Sequence, residues 1–354
     1  MMKKMPVWLA IVACVCAAGC TSKIHGTATA VAVSGSSSTG SSSPSSPSTS
    51  GSPAPSSPSG SSGDQGGGSG DDIAKYRTVD VCSYVRTDAF TKLDKNTKTQ
   101  VTGGDYTSCF LSVDVPKKAK PADYQLSTAF IDGSDAQTLG TRLTTTLTSS
   151  TRSGMTLYSG ISKESGCVRA LVLNDAVTLS LATRPETAGV TPAQACQVTD
   201  ATLDSALTVL KDDDASHLRL PADSIVGQDL CTKVGDAAGD LLGGGDPKAT
   251  PALHGCTWVA GPSASVSLSL STDSWPPTFP PTGAQTKNFG GRAALISVKA
   301  SRAGSFSLNE IRMGRSALDS QKYDVITVIA STSDQPAVVR PKVERFLAAV
   351  AGLS

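Results

Sequence analysis

The residues with the widest range of possible chemistry in this 354-residue chain are its nine cysteines. Two lie in an apolar N-terminal segment, a third is Cys20, and six remain: Cys82, Cys109, Cys167, Cys196, Cys231 and Cys256. An even number of cysteines outside the cytoplasm is typical of a disulfide framework, here of three bonds. Zinc is the alternative, but the six form no C-x-x-C pair and no Cys/His cluster of the usual spacing. The pattern therefore predicts structural disulfides and no metal site.

The three histidines restrict the catalytic chemistry that the chain could perform. His25 follows Cys20 closely, His217 lies in a polar segment, and His254 precedes Cys256 by two residues. Nucleophilic hydrolysis needs a serine or thiol beside a positioned base, usually histidine, and the sequence has no G-x-S-x-G motif. We interpret His254 as a structural residue, with a role as catalytic base as the alternative. The sequence thus predicts no catalytic residue.

Other chemistries leave no motif either. A glycosidase needs only two carboxylates, yet no spacing singles out a pair among the 30 Asp and Glu residues. The glycines of Gly239–Gly245 lack the Lys-Ser/Thr that ends a phosphate-binding loop. A net charge of +1 provides no basic surface for nucleic acid. We expect a chain that binds no cofactor and is not an enzyme, with an extracytoplasmic hydrolase as the least favoured alternative.

The N-terminus has the features of an export signal. A basic region, Met1–Lys4, precedes thirteen apolar residues, Val7–Gly19, which are too few for a transmembrane helix. Small residues then lead to Cys20, and the segment Ala17-Ala18-Gly19-Cys20 resembles the lipobox of bacterial lipoproteins, although Ala17 stands where leucine is usual. We predict a signal peptide over 1–19 and lipidation of Cys20 at the outer face of the cytoplasmic membrane. Ordinary cleavage that releases a soluble protein is the alternative.

The residues after Cys20 predict a flexible tether. Between Ser34 and Gly70 the chain is almost entirely Ser, Gly, Pro and Thr, so it has no apolar surface to bury and is expected to be disordered. We assign 20–72 to the lipidated cysteine and a spacer that extends into the cell wall. Some 37 flexible residues reach about 35 Å on average.

The remaining sequence contains an internal duplication. Val79–Val85 aligns with Gln228–Val234, and in both copies a cysteine follows an aspartate suited to cap a helix. Apolar residues 3, 7 and 11 positions after each cysteine predict an amphipathic helix. Strands with alternating apolar residues follow, and each half closes with a further helix. We predict two α+β domains, 73–213 and 219–354, each an antiparallel sheet with helices on one face.

Each domain is expected to contain a helix, two strands, a helix, two or three strands and a final helix. The polar run Lys211–Ser216 is interpreted as a solvated linker between the domains. Because the first two cysteines of each half recur at like spacing, 27 and 25 positions, the duplication favours the pairs Cys82–Cys109, Cys167–Cys196 and Cys231–Cys256.

The duplication is interrupted where the second half has Trp275-Pro276-Pro277-Thr278-Phe279-Pro280-Pro281. At the corresponding place the first half has Ala136, Leu139, Leu143 and Leu147 at helical spacing, whereas four prolines preclude a helix. Trp275 and Phe279 are candidate binding residues, because large aromatic side chains anchor interfaces. The alternative is that both rings fold onto the sheet where the helix is missing.

These cysteine positions are similar to those of one known family. An aspartate and Cys82 before a helix, Cys109 at a strand start, Cys167-Val168-Arg169 in a later strand and Ala195-Cys196 in a helix resemble a four-cysteine domain of actinobacterial exported lipoproteins. The first unit matches in all four cysteines, and the second keeps two as a degenerate copy. The resemblance implies an envelope location and an α+β fold, and it implies no activity.

We therefore predict a non-catalytic binding module at the cell surface. Its expected partners are the membrane through the lipid, together with another envelope protein, a cell-wall polymer or an apolar ligand. A carrier of a lipid or other apolar ligand is the second hypothesis. A carrier requires a large apolar cavity, whereas an interaction module requires a packed core and a binding surface.

Overall fold

The computed structural model describes residues 73–116, 121–162, 166–222, 224–244, 246–278 and 280–353. All of these described residues belong to one compact unit. The predicted signal peptide, Cys20, the tether and Phe279 lie outside the described residues. No helix in the described part of the chain is long and apolar enough to cross a membrane.

The first half begins with two short 3₁₀ helices, Val81–Tyr84 and Thr87–Lys92. It continues with seven strands and two α-helices, in the order β1 (Lys98–Asp105), β2 (Ser108–Val115), β3 (Ala122–Asp132), α1 (Ala136–Arg142), β4 (Thr148–Arg152), β5 (Met155–Ser162), β6 (Gly166–Val172), β7 (Val177–Pro185) and α2 (Pro192–Asp212).

The second half repeats this plan with an α-helix at its start, kinked at Val234, and no counterpart of α1 among its described residues. Its elements are α3 (Leu230–Leu241), β8 (Lys248–Ala252), β9 (Gly255–Val259), β10 (Ser265–Asp273), β11 (Gln285–Phe289), β12 (Arg292–Ser301), β13 (Gly304–Arg315), β14 (Tyr323–Thr332) and α4 (Pro336–Ala351).

Both sheets are antiparallel, have seven strands and share one topology. The strand orders are β1-β2-β3-β7-β6-β5-β4 and, written in the same direction, β8-β9-β10-β14-β13-β12-β11. In each sheet a three-strand and a four-strand meander join where the third strand pairs with the seventh. The closing helices α2 and α4 pack on the sheets, α2 against β6 and β7 and α4 against β12 and β13. The predicted α+β class and the duplication are confirmed.

The prediction was wrong about the number of strands. It missed the edge strands β1 and β8, whose residues are mostly exposed and have no buried face to mark them. It also missed the β4–β5 hairpin, because β4 is exposed along its whole length. Edge strands of this kind form through main-chain pairing, which leaves little pattern in the side chains.

The expected first helix of the first half is replaced by the two 3₁₀ helices. Asp80 caps the first of them as predicted, and its carboxylate accepts a hydrogen bond from the Cys82 amide at 2.9 Å. Val85 and Arg86 then adopt extended backbone conformations. The Arg86 amide donates to Ser205 Oγ of α2 at 2.7 Å, so tertiary contact replaces the bond that a continuous helix would make.

Three disulfides tie helices to sheets, and they join the predicted cysteine pairs. Cys82–Cys109 attaches the first 3₁₀ helix to β2, and Cys231–Cys256 attaches α3 to β9 in the equivalent way. Cys167–Cys196 joins β6 to α2. In the chain-entropy model, each loop of this size contributes about 3–4 kcal/mol to the free energy of unfolding.

The segment predicted as a solvated linker is partly structured. Lys211 and Asp212 complete α2, and Asp213 caps it in the left-handed conformation. The Asp80 amide then donates to the Ser216 carbonyl at 2.9 Å, and the Leu218 amide donates to the Thr78 carbonyl at 2.7 Å. The chain between the halves therefore pairs with the start of the first half.

The two halves exchange one side chain each. Tyr106 lies in the β1–β2 turn of the first half and is buried in the core of the second, whereas Leu253 lies in the β8–β9 turn of the second half and is buried in the core of the first. Both residues precede the second cysteine of their half by three positions. Equivalent turns of the duplicated fold therefore insert into each other's cores.

A Tyr106→Phe substitution tests how strongly this exchange holds the halves together. The Tyr106 hydroxyl donates to Asp324 Oδ1 at 2.6 Å, so its removal takes one of the hydrogen-bond donors from a buried carboxyl group. We expect the free energy of unfolding to fall by about 1–3 kcal/mol, measured by urea denaturation. Tyr124→Phe is the matched control, because the Tyr124 side chain is buried to a similar extent and its hydroxyl makes no hydrogen bond to a described residue. Equal effects of the two substitutions would contradict the assigned role.

Candidate binding groove and the junction of the halves

A buried polar cluster surrounds Tyr106 at the junction of the halves. Besides donating to Asp324, its hydroxyl accepts a hydrogen bond from the Ala317 amide at 3.2 Å and lies 3.2 Å from Ser316 Oγ. Burial raises the pKa of the Asp324 carboxyl to about 6, although its hydrogen bonds with Tyr106 and Ser316 act in the opposite direction. Burial also raises the pKa of the Tyr106 hydroxyl, so this hydroxyl remains a donor at neutral pH.

His254 belongs to the same junction. Its ring lies 5.7 Å from the Tyr106 ring, and Nδ1 lies 3.1 Å from the Val226 carbonyl oxygen. Burial lowers the pKa of His254 to about 4, with the Val226 carbonyl acting in the opposite direction. The imidazole is therefore neutral at pH 7, donates from Nδ1 to the carbonyl, and leaves Nε2 without a hydrogen-bond partner in the described part of the chain. This arrangement is that of a buried structural residue.

Asp324 and His254 give the junction opposite responses to acid. Between pH 6.5 and about 4 the unfolded chain protonates His254 and the folded chain does not, so this residue makes the fold less stable as the pH falls. Between pH 6 and about 3.8 the folded chain protonates Asp324 first, so this residue makes the fold more stable as the pH falls. Each effect is at most roughly 3 kcal/mol.

We therefore predict that Asp324→Asn makes the protein lose stability more steeply between pH 6.5 and 4 than the wild type does. The asparagine still accepts from Tyr106 but removes the proton uptake that opposes His254. His254→Gln should have the reverse effect on the slope. The measurement is the urea-unfolding free energy of the three proteins across this pH range. If the unfolding free energies of the three proteins changed in parallel with pH, neither Asp324 nor His254 would have the pKa shift described above.

A concave surface on the first half was not predicted from the sequence. We call it the basic groove. Its volume is about 740 Å³, and it is lined by Tyr76, Lys92, Arg152, Ser153, Met155, Leu173, Asp204, Leu207, Thr208, Leu210 and Lys211. The apolar members among these either belong to the core of the first half or pack against it. The floor of the groove is therefore a partly uncovered edge of the core.

Two elements set the walls of the basic groove. Helix α2 contributes Asp204, Leu207, Thr208 and Lys211, which occupy positions i, i+3, i+4 and i+7 and therefore lie along one face. The β4–β5 hairpin contributes Arg152 and Ser153 from its turn. Ser153 and Gly154 both have positive φ, 51° and 81°, as in the type I′ turns that suit the twist of a two-residue hairpin. Arg152 Nη2 bonds Asp204 Oδ1 at 2.5 Å and so joins the hairpin to the helix.

Positive charge exceeds negative charge along this groove. Lys92, Arg152 and Lys211 line it, and Asp204 is the one acidic side chain among the lining residues. Lys92 and Lys211 are exposed and have no carboxylate partner in the described ranges. Tyr76 is buried to 93%, yet its hydroxyl makes no hydrogen bond to a described residue. The groove thus offers an apolar floor, two free ammonium groups and one free hydroxyl.

The predicted binding residue Trp275 does not belong to the basic groove. It is half-buried in the segment between β10 and β11, on the second half. Pro277 and Pro281 of this segment are buried, and the Ser297 hydroxyl donates to the Thr282 carbonyl at 3.1 Å, so the segment lies against β12. A binding role for Trp275 stays a prediction, as does that of Phe279. Over the described ranges, no group of three or more His, Cys, Asp or Glu side chains could hold a metal ion.

Comparisons with known proteins add little to this picture. No family model matches the chain, and no curated protein does. A solved structure of the di-domain ARO/CYC protein StfQ from the steffimycin biosynthetic pathway is 9% identical over 77% of this chain and 88% of that chain, with a TM-score of 0.16. A TM-score this low carries no argument about fold or activity.

Proposed function

We propose that this protein is a non-catalytic binding module, held at the outer face of the cytoplasmic membrane by a lipid on Cys20, and that it binds an amphipathic anion in the basic groove. The observation that carries the proposal is the composition of that groove, where an uncovered edge of the core lies beside unpaired ammonium groups. A ligand with an apolar chain and an acidic head would satisfy both parts.

The apolar part of the ligand is matched by the groove floor. Met155, Leu173, Leu207 and Leu210 are only half-buried, so each keeps apolar surface in contact with water. Covering this surface is favourable by about 25 cal/mol for each Å² removed from water. An acyl chain laid between α2 and the β4–β5 hairpin would cover it, and no side chain of the described chain does.

The acidic part of the ligand is matched by the groove walls. Lys92 and Lys211 stand free, and the Arg152 guanidinium is already held in place by Asp204. Tyr76, which also lines the groove, adds a hydroxyl group as a neutral donor. Hydrogen bonds from ionised donors to an acidic group are about twice as strong as neutral ones. The groove therefore favours a carboxylate or phosphate over a neutral head group.

An open groove suits a binding module better than it suits an enclosed carrier. The cores of both halves are filled by contiguous buried side chains, and the basic groove is an open recess on the surface. A ligand in it would remain partly exposed, as expected for a module that recognises a molecule displayed at the envelope. The 37-residue Ser/Gly/Pro tether would give the groove access to such molecules above the membrane.

We predict that the groove distinguishes head groups by charge. The full chain with Cys20→Ser, exported from a Gram-positive host, should bind dodecyl phosphate roughly tenfold more tightly than dodecyl maltoside, a difference of about 1.4 kcal/mol. Lys92→Glu/Lys211→Glu should abolish this preference, because it replaces two attractive charges by two repulsive ones. The measurement is isothermal titration calorimetry at probe concentrations below the critical micelle concentration. Added salt should weaken the binding of dodecyl phosphate and leave the binding of dodecyl maltoside unchanged.

The control for this experiment is Lys95→Glu/Lys299→Glu, which makes the same change in net charge at two exposed positions outside the groove. It should bind both probes as the parent protein does. Equal binding of the two probes by the parent, or equal weakening by both double substitutions, would contradict the proposed ligand class.

The anchor has a separate test. Wild-type protein should remain with the membrane fraction, resist extraction by high salt and be released by detergent, because acyl chains and not charges hold it. The Cys20→Ser protein should be found in the medium. Wild-type protein that is soluble and begins at residue 20 without a lipid would support ordinary cleavage and contradict the anchor, with no consequence for the groove.

A further inference from the structure

A second, smaller recess lies beside the junction of the halves and differs in chemistry from the basic groove. We call it the junction cavity. Its volume is about 230 Å³, the space of roughly eight water molecules at about 30 Å³ each. It is lined by Pro221, Ser224, Ile225, Arg292, Met313, Gly314, Arg315, Ala317 and Asp324. Cations, a buried carboxyl group and apolar side chains thus share a space fit for a small molecule.

The cationic side chains of the junction cavity lack acidic partners. Neither Arg292 nor Arg315 forms a salt bridge with a described residue. Arg292 Nη1 lies 3.3 Å from the Met313 sulfur, and Arg315 Nη1 donates to the Ser320 carbonyl at 3.2 Å. The Arg315 guanidinium stacks 4.2 Å from the centre of the Tyr323 ring. Planar guanidinium groups with free N–H donors are suited to a carboxylate.

The acidic side chain of the cavity is buried and has only neutral hydrogen-bond partners in the described ranges. Asp324 is 5% exposed, and its Oδ1 accepts from Tyr106. The carboxyl group also has a side-chain hydrogen bond with Ser316, and it lines the cavity. Both of these partners are neutral hydroxyl groups and no cation pairs with Asp324 in the described ranges, so an ammonium group bound in the cavity would supply the missing opposite charge.

The backbone is shaped to present these groups. The pairing of β13 with β14 is interrupted between Arg312 and Arg315, which places Met313 and Gly314 in a bulge. Bulges redirect side chains and are common beside binding sites. An added Cβ at Gly314 would meet nothing within 4 Å, so this position borders open space.

We infer that the junction cavity binds a small zwitterion, with its carboxylate on Arg292 and Arg315 and its ammonium group on Asp324. Ile225, Met313 and Pro221 would contact an apolar side chain, so a free aliphatic amino acid is the ligand class. The site involves none of the residues of the basic groove, and the two proposals stand or fall separately.

The experiment uses the full chain with Cys20→Ser and three probes of like shape: L-leucine, 4-methylpentanoic acid, which lacks the amine, and 3-methylbutylamine, which lacks the carboxylate. Binding is measured by calorimetry and by the rise of the melting temperature with ligand concentration. L-leucine should bind, and each one-ended probe should bind at least tenfold more weakly. Arg292→Gln should weaken L-leucine at least tenfold without lowering the melting temperature of the free protein.

Arg302→Gln is the matched control, because Arg302 is an exposed arginine in the β12–β13 turn and does not line the cavity. It should bind L-leucine as the parent does. Asp324→Asn should weaken the binding of L-leucine but leave the binding of 4-methylpentanoic acid unchanged. If Asp324→Asn also destabilises the junction of the halves, the result for Arg292→Gln still decides the test. The inference is overturned if L-leucine shows no binding up to about 1 mM, if the acid alone binds as tightly, or if Arg292→Gln and Arg302→Gln act alike.

Discussion

The exchange of Tyr106 and Leu253 between the cores is the contact on which the arrangement of this protein depends. Each residue leaves its own sheet at the same turn of the duplicated fold and completes the partner core. The exchange brings polar groups with it, because a tyrosine hydroxyl buried in another core needs an acceptor, and Asp324 supplies one at 2.6 Å. That carboxyl group then lines the junction cavity. A requirement of packing has thus placed a buried charge where a small ligand could use it.

The two halves keep one topology and have diverged in the elements that border the sheets. In the first half the opening segment is two 3₁₀ helices, and the hairpin of β4 and β5 stands beside α2, which together leave the basic groove. In the second half the opening segment is the α-helix α3, which is kinked at Val234, and a proline-rich segment replaces α1. The strand order is set by main-chain pairing, so it is the same in both halves despite these differences. The recesses depend on a few side chains in the elements that border each sheet, so they differ between the halves.

The basic groove and the junction cavity both contain charged side chains without a partner of opposite charge, but the two sites differ in which charges they contain. In the basic groove the lysines are free and the apolar floor is open, so a ligand adds the missing anion and covers the floor. In the junction cavity the arginines and Asp324 are both present but do not pair with each other, so a ligand must carry both charges. In each site, buried or converging charged groups have no partner of opposite charge. This arrangement carries a free-energy cost, and the binding of a complementary ligand would remove it.

The sequence by itself determined the fold class, the duplication, the two aspartate caps and the three cysteine pairs, because these follow from local periodicity and from spacings that recur in both halves. It also predicted a closing helix for the first half, yet it could not show that Leu207 and Leu210 of this helix stay half-buried and line a groove. The exposed edge strands β1, β4 and β8 left no periodic signal. Tyr106, Asp324, Arg152 and Arg292 lie far apart along the chain, and none belongs to a motif. Their partners were decided by tertiary structure alone, because side chains distant in sequence meet only when the sheets pair and the two turns insert into opposite cores.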